Sequence, residues 1–177
     1  MRKTVREVFI KWNPPTAGCF KLNTDGASKG NPGKASAGGL IWDHLGQWVV
    51  GFCRNIGTTS NVAAELWGLR DGLKLALERN ILNLKIETDA ILLKQLLSTN
   101  ISASHQLHNL INDCRYLLSC LGTPTINHVY REANACADLL ANLGASVENF
   151  QSFVNPPPLV CNQLLANALG ISYPRLL

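Results

Sequence analysis

Asn23-Thr-Asp-Gly-Ala-Ser-Lys-Gly-Asn-Pro-Gly33 is the stretch on which the fold turns. Residues 19–26 alternate, with Phe20, Leu22 and Thr24 on one face and Lys21, Asn23 and Asp25 on the other, as in a half-buried strand. The pattern predicts a strand that delivers one carboxylate, Asp25, and then breaks into a loop. Gly26, Gly30, Pro32 and Gly33 suit such a loop, because glycine lets backbone come close to a ligand.

Outward from that stretch the chain keeps placing single carboxylates on separate elements. Residues 37–43 and 47–54 read as two strands joined by Asp43-His-Leu-Gly46, a hairpin signal that makes His44 a turn residue. From residue 61 to about 79 the period becomes helical, with Val62, Leu66, Leu69, Leu73, Ala76 and Leu77 in one stripe. Glu65 lies on or beside that stripe, and an inward carboxylate must be neutralised, hydrogen-bonded or metal-bound. Residues 82–88 form a strand that ends at Asp89. Helices over 90–97 and 105–120 and a strand over 125–130 follow. A short helix over 134–143, stopped by Gly144, carries Asp138. Hairpins first and crossovers later predict an α/β fold, a five-stranded mixed sheet flanked by helices. Asp25, Glu65, Asp89 and Asp138 are then four carboxylates on four elements, which is what a site for paired divalent cations needs.

Composition narrows the class. A chain of 177 residues with 46% hydrophobic content is large enough for a core without staples. It has no apolar run near the roughly 18–20 residues of a membrane span. Its first residues, Met-Arg-Lys-Thr-Val-Arg-Glu, lack the apolar core of a secretory signal. Cys19, Cys53, Cys114, Cys120, Cys136 and Cys161 show no zinc spacing and read as small buried hydrophobes in a reducing compartment. The expectation is an intracellular protein, nuclear or cytoplasmic and not secreted.

The net charge of +4 is uneven. Residues 1–34 hold seven Lys/Arg against two acids, and the rest hold nine against ten. A basic segment beside Asp25 suits a phosphate backbone. Arg2, Lys3 and Arg6 read as a solvated tail, and Lys29 and Lys34 as the substrate contacts. Residues 1–18 form an irregular basic lead-in and 19–144 the domain. Residues 145–177 form a proline-containing extension, with a short helix over 159–169 after Pro156-Pro-Pro158.

The motifs TDGASKGNPG, AAELWGL around Glu65, IETDA around Asp89 and HVYREANACADLLA near Asp138 resemble type 1 ribonuclease H. More narrowly, they resemble the ribonuclease-H-like domains of plant non-LTR retroelements and their stand-alone relatives. The resemblance covers about residues 12–144, in the family's order, with His128 ten residues before Asp138.

It implies a ribonuclease-H-like fold and endonucleolytic hydrolysis of the RNA strand of an RNA–DNA hybrid. Two cations about 4 Å apart, Mg²⁺ or Mn²⁺, would activate a water and clamp the leaving oxygen. Carried onto this chain, Asp25 bridges both ions, Glu65 and Asp89 share one, and Asp138 completes the other. His128 sits at the rim, relaying a proton or helping product leave. Gly26, Ser28, Lys29 and Asn31 of the first motif, Asn61 ahead of Glu65, and Asn134 are the implied substrate contacts. The 2′-hydroxyl that such contacts read is what distinguishes RNA from DNA.

Two departures weaken the implied grip on nucleic acid. Val62 stands where the family often has a polar residue, and residues 98–108 carry no Lys, Arg, Phe, Tyr or Trp. Hybrid affinity would then be weak unless a partner, such as a reverse transcriptase domain in a longer relative, supplies it. A second reading stays open: a catalytically inactive nucleic-acid-binding or interaction module that retains the fold. A 3′–5′ exonuclease would open with Asp-x-Glu, whereas Asp25 is followed by Gly26-Ala27.

Overall fold

In the computed structural model, which describes residues 5–177, the strand carrying Asp25 does not stop there. The elements in chain order are β1 (Glu7–Ile10), β2 (Phe20–Gly30), β3 (Gly33–Trp42), β4 (Trp48–Thr59), α1 (Asn61–Glu78), β5 (Leu84–Thr88), α2 (Ile91–Ser98), α3 (His108–Cys120), β6 (Ile126–His128), α4 (Ala135–Leu143), β7 (Phe150–Phe153), α5 (Pro158–Ala168) and β8 (Tyr173–Leu176). β2 pairs with β3 without a break from Lys21↔Trp42 to Gly30↔Gly33, so the expected loop after Asp25 is a hairpin arm with its turn at Asn31-Pro32. Gly30 has φ +102°, a backbone state glycine reaches without strain.

Gly26 serves packing as well as the cleft. A Cβ at Gly26 would lie 2.4 Å from the Glu65 nitrogen, so its absence lets the first turn of α1 rest on β2. On the opposite face Gly38 does the same for α4, where a Cβ would lie 2.3 Å from the Ala141 nitrogen. Asp25 pairs with Gly38 across the hairpin, so two helices close in on the strands that hold it.

The main sheet is mixed, as expected, with six strands instead of five, in the order β6-β5-β2-β3-β4-β7. β2, β3 and β4 form an antiparallel meander, while β5 and β6 join in parallel after the helical crossovers. Helices cover both faces. One core joins Leu22, Ile41 and Phe52 of the sheet to Leu66, Leu69 and Leu73 of α1 and Ile111 of α3. The other joins Leu40 and Trp42 to Leu140 of α4, Val160 of α5 and Trp12. Each fully buried side chain of this size contributes about 1.5–3 kcal/mol relative to exposure.

The sixth strand comes from the extension. β7 pairs antiparallel with β4 through Gly51↔Phe153 to Arg54↔Phe150. The Arg54 guanidinium is held by buried Asp71 and lies over the Phe150 and Trp67 rings, 5.2 and 5.0 Å from their centroids. The lead-in is also more ordered than expected. β1 pairs with β8 as a separate two-stranded ribbon, and Trp12 is buried against Trp42, their centroids 4.3 Å apart. Arg2 and Lys3 lie outside the described residues. All six cysteines are free, but only Cys53, Cys114 and Cys136 are buried. Cys120 and Cys161 are exposed because each falls on the outer side of its helix, and Cys19 is half-buried. No helix among the described residues is long and apolar enough to cross a membrane.

Candidate active site

Parallel pairing sets the first two carboxylates side by side. Thr24 of β2 pairs with Thr88 of β5, so the next residues, Asp25 and Asp89, are neighbours. α1, seated on Gly26, brings Glu65 to the same point. Each of the three offers a carboxylate oxygen, and those oxygens lie within 4.8 Å of one another. It is the one such group among the described residues.

Electrostatics there are unfavourable without a counter-charge. Burial, then the charges of Glu65, Asp89 and Asp138, push Asp25 up to about 10. Burial and the Asp89 charge push Glu65 up to about 8, against the pull of a backbone hydrogen bond from Gly26. Glu65 Oε2 is buried and has no hydrogen-bond partner. An orphaned buried carboxylate oxygen beside two further carboxylates fits a divalent cation. The purely oxygen donor set suits Mg²⁺ or Mn²⁺, not a soft metal.

Asp138 stands apart from this group. It lines the same cleft, but its Oδ1 accepts from Arg131 Nη2 at 2.8 Å. His128 does not line the cleft. It is exposed at the end of β6, where it pairs with Thr88, one residue from Asp89, and sets its ring edge-on to Tyr130.

The expected substrate contacts divide in two. Gly26, Ser28, Lys29 and Asn61 line the cleft, as does Lys34, the cross-strand partner of Lys29. Ser28 Oγ donates to the Gly30 carbonyl at 2.5 Å. Asn31 lies outside the lining. Its Oδ1 accepts the Asn61 backbone N–H at 3.1 Å and ties the hairpin turn to the start of α1. Asn134 is buried among protein groups, so it cannot present its amide to an incoming ligand. Lys21, part of the basic segment, is buried in an ion pair with Glu87 at 2.7 Å and is not free for phosphate.

Arg131 is the cleft residue that sequence reasoning missed. It precedes α4 in the turn Arg131–Ala133, seven residues before Asp138. Asn55 and Asn142 also line the cleft, and nothing in their local sequence announced it.

Residues 23–144 match the family described as reverse transcriptase-like. An Arabidopsis thaliana protein named as a ribonuclease H protein is 44% identical over 170 residues, 96% of this chain. The chain spans only 27% of that relative's length. Among solved structures, RNase H1 of the archaeon Halobacterium salinarum is similar at a TM-score of 0.67 and 31% identity, over 73% of this chain and 98% of that one. The compost-derived LC11-RNase H1, solved in complex with an RNA/DNA hybrid, is similar at a TM-score of 0.64 and 26% identity, over 72% of this chain and 96% of that one.

Proposed function

The chain belongs to the reverse transcriptase-like family of ribonuclease-H-type domains, and from that premise we propose that it is a divalent-cation-dependent endonuclease cutting the RNA strand of RNA–DNA hybrids. The observation that carries the reading is the cluster itself: carboxylate oxygens of Asp25, Glu65 and Asp89 within 4.8 Å of one another, with Glu65 Oε2 buried and unpartnered.

Asp25, Glu65 and Asp89 would hold Mg²⁺ or Mn²⁺, and Asp138 would join them by exchanging its contact with Arg131. When bound, two such ions supply an activated water and neutralise the charge that builds on the scissile phosphate. Lys29 and Lys34, side by side on the hairpin arm, draw the phosphate backbone over the carboxylates. Ser28 and Asn61 offer the hydrogen-bonding groups that can read a 2′-hydroxyl. Arg131, released from Asp138, is free to contact phosphate. His128, exposed on β6 beside Thr88 and outside the cleft lining, would have to turn toward the cleft to pass a proton at the rim.

A labelled RNA–DNA hybrid incubated with Mg²⁺ or Mn²⁺, beside an Asp25→Asn variant, tests this. Metal-dependent cutting of the RNA strand, lost in the variant, is expected. A folded wild type that binds hybrid and leaves it intact would replace the proposal with a binding module. The Arg131–Asp138 contact, which occupies the fourth carboxylate, favours that second reading.

A further inference from the structure

Behind the carboxylates, buried polar side chains form one continuous hydrogen-bonded chain. Asn134 Nδ2 donates to Asp89 Oδ1 at 3.2 Å and to the Thr24 carbonyl at 2.9 Å. Its Oδ1 accepts from Asn23 Nδ2 at 3.1 Å. Asn23 Nδ2 also donates to Glu87 Oε2 at 3.3 Å. Asn23 Oδ1 accepts from two indoles, Trp42 Nε1 at 2.9 Å and Trp12 Nε1 at 3.2 Å. A side-chain amide has two N–H donors and one oxygen with two lone pairs, so Asn23 is saturated. Asn23 and Asn134 are each 1% exposed, which shields these bonds from bulk water.

The chain has a direction, and the indoles on Asn23 Oδ1 set it together with two groups that only accept, Glu87 Oε2 on Asn23 Nδ2 and the Thr24 carbonyl on Asn134 Nδ2. An indole N–H donates and cannot accept. Two of them on Asn23 Oδ1 fix which way that amide faces. Asn23 must then turn an N–H toward Asn134, which receives it with oxygen and passes its own N–H to Asp89. What reaches the carboxylate is therefore always a donor, and it fixes the rotation of the carboxyl group. Trp12 comes from the lead-in, where it is held by the stack on Trp42 and by Lys21, whose Nζ lies 5.3 Å from the ring centroid. Lys21 Nζ also donates to the Asn13 carbonyl at 2.6 Å.

We propose that Asn23 is a positioning residue for the cation site, and that Trp12 and Trp42, together with Glu87, hold its orientation, so that docking of the lead-in helps to aim Asp89. The inference rests on the reading of Asp89 as a cation-holding carboxylate. Groups that orient metal ligands change metal affinity or activity by about 10–100-fold when removed.

The test is Mn²⁺ binding by titration calorimetry, run beside kcat and KM for hybrid cleavage, with circular dichroism and thermal melts to establish folding. Trp12→Phe with Trp42→Phe keeps a smaller aromatic ring at each position and removes both donors. It is expected to weaken Mn²⁺ binding about 10-fold and to lower kcat with KM unchanged. Asn23→Asp accepts from both indoles but cannot donate to Asn134, and should weaken Mn²⁺ binding at least as much. Trp12→Phe alone removes the longer of the two indole bonds and serves if the other variants do not fold, with a smaller loss in the same direction. Folded variants that bind Mn²⁺ as the wild type does overturn the inference, and so does a wild type that binds no Mn²⁺. A wild type that binds Mn²⁺ and cuts no hybrid, with weaker binding in the variants, leaves the positioning role standing and removes the nuclease reading alone.

Discussion

Asp25, Glu65 and Asp89 on one side and Asp138 on the other line one cleft, yet they live under opposite conditions. The three are crowded, with Asp25 buried and Glu65 and Asp89 half-buried, and Asp25 and Glu65 are pushed up to about 10 and about 8 by burial and like charge. Asp138 is at the rim, already neutralised by an arginine whose side chain is 70% exposed. An ion pair that open contributes at most about 1 kcal/mol. The contrast separates a crowded group with no counter-charge of its own from a carboxylate that already has an exposed one. A bound divalent ion would relieve the crowding of the inner carboxylates, and the rim carboxylate can change partners at little cost.

The largest effect should come from removing an inner charge. Asp25→Asn is expected to slow hybrid cleavage by on the order of 100-fold or more, since it takes away charge aimed at the reacting centre. The same change should raise the melting temperature of the metal-free protein at neutral pH, because Asn does not have to take up a proton on folding as Asp25 does. Asp138→Asn should cost less activity and leave melting almost unchanged. Equal effects of both variants on melting would erase the distinction drawn above.

Next comes pH. Unfolded carboxylates titrate near 4, so between about pH 4 and about pH 8–10 the metal-free folded state binds more protons than the unfolded state. Stability contributed by these two groups is therefore full below that window and is lost as pH rises through it. Melting in EDTA should fall by about 3 °C or more from about pH 5 to about pH 9, and saturating Mg²⁺ should flatten the slope. A metal-free melting temperature that rises over that range would contradict the inner-charge picture.

A smaller effect is expected at the rim. Arg131→Gln should lower the Mn²⁺ concentration for half-maximal activity by up to about fivefold, the equivalent of an exposed pair. A rise instead would mean that Arg131 contributes more to substrate than it withholds from the ion. The smallest change belongs to the hairpin arm. Lys29→Ala or Lys34→Ala should each reduce the salt dependence of hybrid binding by about one unit of slope, with a modest rise in KM.

How much of this could be read from the chain depended on how local the cause was. Asp25, Glu65 and Asp89 were legible because each closes or interrupts a periodic pattern, and α1 and β5 were legible for the same reason. Gly26 was misread as loop glycine because sequence does not say that α1 will lie across it. Asn134 was read as a substrate contact because Arg-Glu-Ala-Asn matches a family position near the site. Its inward turn depends on Asn23, 111 residues away in the chain. β7 was missed since Phe150-Gln-Ser-Phe153 has little strand pattern of its own and forms on the edge that β4 offers. Trp12 sits beside two prolines in an unpatterned lead-in, and only Trp42 and Asn23 give it a place.

The β1–β8 ribbon has a mechanical consequence. Arg6 and Leu177 exchange both backbone hydrogen bonds, at 3.1 and 2.9 Å, so the described chain enters and leaves at one spot. Tension applied between those two residues pulls an antiparallel pair apart from its open end, one bond after another, like a zip and not like a rope in shear. The four pairs from Glu7↔Leu176 to Ile10↔Tyr173 would part before load reached the sheet that holds the carboxylates. The ribbon is thus a fuse: force applied between Arg6 and Leu177 is spent there before it reaches β2 and the acidic cluster.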